Sequence, residues 1–513
     1  MEINIKYKKI LILIILTMIF FINFSGCINE INKTKKNVLI FAAFDNEFVH
    51  PFGNSAFATI GCNIYDGLVE FNETFQIMPS LAVSWNNPDN LTWVFTLREN
   101  VKFHNDYDFT AEDVNYTINT IYGGYKSIID RVIVVGNHTI EIKTIKPYFS
   151  FLQELAWNFK VFSKKYSEDA DSDWSIGTGP YKLKEYVEGN YTTLERFDNY
   201  WGKKPEIQTV TFKFIENNQE RLDNLITGKL DIIDYNVDEK FENLSKIEGI
   251  KIVKYPPLAT YLIGFDLREN GSYGFPDGQN PTADIRVRKA IYHAIDIEPL
   301  IKGPFKGLAI PASQLLTPYI FGYNPDISRL SYDIDLAKQL LIEAGYENGF
   351  DIEMDIITHL YEYNIENCRL IAEQLSKVGI NLSLNELSQD EFNKKVVIEK
   401  NTSMWLVGWG SVSADGGIFY DLFIRSKGEG YNGYYNSGYY SNADVDRLAE
   451  EASIEMKSEK RAKLLKEGFK IALVDDVILV PLFSQELFVL TTEDVLMQPR
   501  ADSRIVVKDI RFK

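Results

Sequence analysis

The period of apolar and polar positions changes repeatedly along the chain, and each change marks an element. Val38-Leu39-Ile40-Phe41-Ala42 is an unbroken apolar run, the pattern of a strand buried on both faces. Thr92 to Leu97 alternates instead, with Trp93, Phe95 and Leu97 on one face and Thr92, Val94 and Thr96 on the other. That predicts a half-buried strand. Thr110-Ala-Glu-Asp113 opens the next helix as a capping box, in which hydroxyl and carboxylate satisfy free N–H groups. Val210 to Ile215 predicts a strand, and Gln219 to Thr227 predicts a helix ended by Gly228. Leu230 to Ile233 resumes as strand.

In the second half, Asp284 is placed to N-cap a helix carrying Val287, Ala290, Ile291, Ala294 and Ile295 at helical spacing. Leu336, Leu340, Leu341 and Ala344 form another stripe, stopped by Gly345. Ile371, Leu375 and Val378 lead to Gly379, after which Ile380, Leu382 and Leu384 alternate as a strand. This recurring order of helix, glycine and strand predicts α/β units with helices packed on sheets. No repeat of fixed period is present, which excludes a solenoid.

The N-terminus reads as an address. Lys6, Lys8 and Lys9 precede an apolar run from Ile10 to Ile22, broken only by Thr17. The run is short for a membrane span and right for a signal-peptide core. Phe24-Ser25-Gly26-Cys27 follows, with small residues before a Cys as in a lipobox, although Phe24 stands where Leu is usual. Residues 1–26 are therefore expected to be a signal peptide and Cys27 a lipidated first residue. The polar stretch Ile28 to Asn37 lacks apolar periodicity, so residues 27–37 read as a flexible tether.

A length of 513 residues allows two or more domains. The formal net charge is −18, and it becomes −20 once Glu2, Lys6, Lys8 and Lys9 leave with the signal peptide. So acidic a surface repels phosphate backbones, and no nucleic-acid partner is expected. Aromatics reach 13%, which serves either a cleft lining or a codon bias toward Phe and Tyr. The three cysteines, Cys27, Cys62 and Cys368, form no CxxC pair, so no zinc site is expected. Cys62 and Cys368 are expected to be unpaired buried thiols, with a disulfide between them left open.

Catalytic patterns are missing. His50, His104, His138, His293 and His359 are scattered, and no HExxH, GxSxG, Walker A or GxGxxG motif stands out. Gly177-Thr-Gly-Pro-Tyr181 is glycine-rich, but Tyr181 to Tyr186 alternates like a strand, not like the helix a phosphate cradle needs. No enzyme activity, metal or cofactor is expected. The segment Trp405-Leu-Val-Gly-Trp-Gly-Ser-Val-Ser-Ala-Asp-Gly-Gly417 is unusual: an apolar strand enters a loop of small residues around one Asp. Small residues let a ligand approach the backbone closely. Asp415 then either offers a carboxylate to an ammonium group or caps its own backbone in a turn.

An ordered series of short segments carries a family likeness. Tyr65-Asp-Gly-Leu-Val-Glu-Phe71, Leu81-Ala-Val-Ser-Trp85, Thr92 to Arg98, Val101-Lys-Phe-His104 and Thr110-Ala-Glu-Asp-Val114 come first. Gly177 to Tyr181, Asn199-Tyr-Trp-Gly202, Arg286-Val-Arg-Lys-Ala290, Ala294-Ile-Asp296, Ser441 to Asp446 and Pro481-Leu-Phe483 follow. With these the chain resembles the family 5 extracellular solute-binding proteins, which serve peptide and nickel importers. Asn105-Asp-Tyr-Asp108 departs from the pattern, which usually has a Gly there.

The resemblance implies a two-lobed α/β clamp of the periplasmic-binding-protein kind, with an extra α/β subdomain in lobe I. It assigns residues 38–58, 175–265 and 481–513 to lobe I, 59–174 to the subdomain and 266–480 to lobe II. The chain crossings are expected near Tyr261–Asp266 and Val480–Phe483. The implied role is the lipid-anchored, extracytoplasmic binding component of an ABC importer. Such a protein acts as a monomer beside a permease and an ATPase and encloses a short peptide as its lobes close. A nickel chelate, another small polar solute, or sensing with the same clamp is the alternative. In the peptide-binding branch an Asp after "G-W" pairs with the peptide ammonium; Gly408-Trp409 and Asp415 match, with Gly416 where Pro is usual. Backbone groups of Trp409, Gly410, Ser411 and Ser413, and of Glu47 and Phe48, would pair with an extended peptide.

Overall fold

The computed structural model describes residues 36–44, 59–121, 127–167, 175–237, 241–270, 272–275, 279–358, 362–410 and 414–513. The leader with Cys27, and also Glu47, Phe48, His50, His359, Ser411 and Ser413, lie outside the described residues. Among the described residues no helix is long and apolar enough to cross a membrane.

Two large sheets organise the molecule. The strand Val38–Ala43 forms as its apolar run predicts and lies inside a seven-stranded sheet. It runs parallel to Thr209–Phe214, with Val38 beside Thr209, and to Ile232–Asp234, with Phe41 beside Ile232. Leu39 and Phe41 are buried, and Phe41 meets Phe212 edge-on at 5.8 Å. The strand Phe488–Thr492, from near the chain's end, lies between Ile232–Asp234 and Ile250–Lys254, antiparallel to both. One lobe is thus built from both ends of the chain.

The second lobe rests on a six-stranded sheet. Its order is Ala309–Pro311, Leu479–Gln485, Ala259–Phe265, Met404–Gly410, Phe350–Ile357 and Ile380–Leu387. The helix Ile285–Ala294 starts where Asp284 accepts the Arg286 N–H at 2.8 Å, and it buries Val287, Ala290 and Ile291. The helix Ile334–Glu343 stops before Gly345, which takes a φ of +89° that side chains disfavour. Tyr261–Asp266 and Val480–Phe483 are not the crossings. Both fall largely within paired strands of the second sheet, since Tyr261 faces Phe483 and Ile263 faces Val480. The chain passes between the sheets at 255–258 and 486–487, where no ladder holds it.

The extra subdomain has a four-stranded sheet with Thr92–Leu97 inside it. Trp93, Phe95 and Leu97 are buried as their alternation predicts, and Trp93 packs on Phe151 at 5.7 Å. The capping box forms, with the Thr110 N–H donating to the Asp113 carboxylate at 2.8 Å. The glycine-rich Gly177–Tyr181 serves packing. A Cβ at Gly179 would sit 2.6 Å from the Ile64 carbonyl oxygen. His104 closes the same seam, with Nδ1 accepting the Gly177 N–H at 3.2 Å and Nε2 donating to the Gly179 oxygen at 3.0 Å. Gly179→Ala is expected to lower stability by about 1–3 kcal/mol through overpacking, read as a lower urea midpoint with an unchanged slope. Cys62 and Cys368 are free thiols, and Cys62 is half-buried where the sequence predicts full burial. Burial pushes the Cys368 thiol up to about 12, so it stays protonated at neutral pH.

Candidate functional site

The strand Met404–Gly410 aims at the site. Along its whole length it pairs with Ala259–Phe265, Ala259 facing Gly410. On its other edge it meets Phe350–Ile357 only at Met404 and Trp405. From Leu406 to Gly410 that edge has no paired strand among the described residues. Alternate residues of such an edge present both N–H and C=O outward, a template for one more strand.

Beyond the strand, Ala414 turns through a φ of +56° and Asp415 caps the short helix Gly416–Phe419. Asp415 is 0% exposed, and its Oδ1 accepts the Gly417 N–H at 2.6 Å. The self-capping turn is therefore real. It is not the whole role of the side chain, because Arg461 Nη2 donates to the same oxygen at 2.8 Å. Oδ2 is buried and makes no hydrogen bond among the described residues. Phe321 clamps the turn: its N–H donates to the Ala414 oxygen at 3.0 Å, and its own oxygen accepts the Gly416 N–H at 2.8 Å. This explains Gly416. A proline would lose that N–H, and any Cβ there would lie 2.7 Å from the Phe321 oxygen.

The subdomain reaches this spot. The Phe149 ring lies 4.9 Å from Phe321 and 5.0 Å from the Arg461 guanidinium. Glu154, on the helix Phe151–Asn158, stands in the field of Asp415. Burial pushes its carboxyl up, a Tyr148 hydroxyl bond at 3.4 Å opposes that, and the Asp415 charge adds to it. Asp421 shares this neighbourhood with Arg461, Arg425 and Lys146 as well as Asp415, so the feature that sets the site apart is the Asp415 oxygen left without a hydrogen bond among the described residues.

Beside the open edge lies a cavity of about 320 Å³. Ile357, Phe392, Val396, Trp405, Val407 and Trp409 contribute to its wall, with Gln389 and Asn393 at a polar lip. Among the described residues no Lys, Arg, His, Asp or Glu lines it. An aromatic ladder leads in from the surface. Tyr431, 77% exposed, is 6.2 Å from Tyr434, which is 4.9 Å from Tyr435. Tyr435 stacks on Phe423 at 5.1 Å, and Trp409 touches both rings, at 4.7 Å and 4.9 Å.

Of the residues singled out in the sequence, the structure brings Trp409, Gly410 and Asp415 to one end of one strand. Ser411, Ser413, Glu47 and Phe48 lie outside the described residues. The described histidines do not converge: His104 closes the seam above, and His293 Nδ1 is 2.7 Å from the Ser331 oxygen. Among the described residues no cluster of His, Cys, Asp and Glu could hold a metal. Sequence reasoning missed Arg461 and the ladder. Arg461 shares the buried stripe of its helix with Leu464, Leu465, Gly468 and Phe469, so a charge on an apolar stripe was the available signal. The run Tyr431 to Tyr440, dense in Tyr, Asn and Gly, has a composition favoured in recognition loops.

The family model "Bacterial extracellular solute-binding proteins, family 5 Middle" matches residues 76–431. The chain belongs to this family. It is an extracellular solute-binding protein, and its two sheets with the added subdomain are the two-lobed fold of its structural neighbours. It is 26% identical to the dipeptide-binding protein of Escherichia coli K12 over 446 residues, covering 79% of this chain and 81% of that one. HbpA2 of Haemophilus parasuis superposes with a TM-score of 0.81 at 22% identity, over 93% of this chain and 100% of that one. DppA of Helicobacter pylori, in complex with the peptide STSA, gives 0.69 at 24% identity, over 93% and 98%.

Proposed function

We propose that this chain is the peptide-binding component of an ABC importer, held outside the membrane by a lipid on Cys27. The observation that carries the peptide reading is the open edge Leu406–Gly410, which runs toward a buried carboxylate with an unpartnered oxygen. An extended peptide pairs with such an edge through backbone groups that every residue shares. Its ammonium then falls to Asp415, whose Oδ2 makes no hydrogen bond among the described residues. Glu47 and Phe48 supply the facing backbone contacts from the first lobe. Residues 38–58, 175–258 and 486–513 make up that lobe with its 59–174 subdomain, and 259–485, the span between the two crossings, make up the other. The lobes close on the peptide, and closure signals a loaded protein to the permease and ATPase. The chain works as a monomer without catalytic turnover.

Micromolar capture requires about 8 kcal/mol, within reach of one buried ion pair and several backbone bonds after the cost of closure. Calorimetric titration with tetra-alanine and its N-acetylated form tests the reading. Acetylation removes the ammonium and is expected to weaken binding by about 2–4 kcal/mol. Equal affinity of the two forms would remove Asp415 from the site, and native mass spectra with bound nickel and no peptide would replace peptide by a metal chelate. Separately, Cys27→Ala is expected to shift the chain from the membrane fraction to the soluble fraction after cell lysis.

A further inference from the structure

We propose that the cavity beside Trp409 selects peptides carrying a bulky apolar side chain, above all an aromatic one, at the residue that pairs with the strand edge. This rests on the peptide reading above and adds which peptides are taken. Three observations carry it.

The first is charge. Among the described residues the cavity wall contains no ionisable side chain other than tyrosine. A peptide carboxylate or an acidic side chain placed there would lose its water and gain no cation, which is strongly unfavourable. A lysine or arginine would lose its water as steeply, since among the described residues no carboxylate stands in this wall. The second is composition. Ile357, Phe392, Val396 and Trp405 are the aliphatic and aromatic surfaces that an apolar side chain leaves water to meet. The third is position. The wall includes the successive residues Leu406, Val407, Gly408 and Trp409, so it opens along the unpaired edge itself. A residue paired to that edge turns its side chain to one face, and the cavity is the space available to it. The ladder from Tyr431 through Tyr434 and Tyr435 to Trp409 gives an incoming ring a series of edge and face contacts.

The test uses the purified full-length chain and a positional set of unblocked tetrapeptides: tetra-alanine, the four variants with one Phe, and the four with one Glu. Phe at one position is expected to bind about tenfold or more tighter than Ala, and Glu at that position about tenfold or more weaker than Phe. Asn393→Lys places a cation at the exposed lip, where folding is not at risk. It is expected to raise the affinity of the Glu peptide and narrow the Phe-to-Glu ratio about fivefold or more. If all nine peptides bind alike, the inference fails and the peptide reading stands. If Phe is preferred but Asn393→Lys leaves the ratio unchanged, the cavity is not the selecting site and the inference fails in its location. If no peptide binds and cellotetraose does, the aromatic wall serves an uncharged sugar and both readings fall.

Discussion

Replacing Arg288 by leucine is expected to destabilise the chain by about 3–5 kcal/mol, the range for removing a fully committed buried charge. The side chain is 6% exposed and makes four bonds to backbone oxygens. Nε donates to Val477 at 2.8 Å, Nη1 to Thr282 at 2.7 Å and Ala283 at 2.8 Å, and Nη2 to Asp476 at 2.6 Å. These tie the helix Ile285–Ala294 to the turn that feeds the strand Leu479–Gln485, the strand by which the chain returns to the first lobe. Leucine fills part of the volume and leaves four carbonyls without donors. Arg288→Lys keeps the charge, but its three N–H donors leave the far end of a four-point fork, and a loss of about 1–3 kcal/mol is expected. Urea denaturation followed by far-ultraviolet circular dichroism gives both numbers. Equal stability of the Arg288→Leu variant and the wild-type protein would show that water reaches these carbonyls.

The elements that local chemistry sets were legible in the sequence. The run at Val38, the alternation at Thr92, the caps at Thr110 and Asp284, and the stops at Gly345 and Gly379 all stand where spacing predicts. Each depends on neighbours a few residues away. What the sequence placed wrongly depends on distant partners. Tyr261–Asp266 and Val480–Phe483 read as crossings, yet each is held by the other in one ladder, a contact across more than two hundred residues. Arg461 was invisible as a site residue because its helix carries many charges, and only the buried stripe shared with Leu464 and Leu465 sets it apart. Asp415 reads as either a cap or a ligand partner. The structure shows why the question was wrongly framed: a carboxylate has two oxygens, and here one does the capping while the other lies without a bond among the described residues.

That division of labour gives the most searching test of the site, because two variants are expected to agree in stability and disagree in binding. Asp415 and Arg461 are 0% and 6% exposed at their side chains, so the pair is shielded from solvent. Breaking it from either side leaves a buried charge alone and is expected to cost about 3–5 kcal/mol of stability. Asp415→Asn keeps the cap, since Asn serves a helix N-terminus as well as Asp, but it offers a peptide ammonium no charge. Its affinity for tetra-alanine is expected to fall by about 2–4 kcal/mol. Arg461→Leu does the reverse. It leaves the Asp415 carboxylate without its bonded cation, and the ammonium of the ligand takes over that charge pairing. Tetra-alanine is expected to bind this variant about tenfold or more tighter than wild type, and to raise its melting temperature further. A pair that serves the fold alone would lower stability in both variants and leave both affinities unchanged. Opposite shifts in affinity on a common loss of stability therefore identify Arg461 as the cation that competes with the ligand's ammonium for the charge of the Asp415 carboxylate.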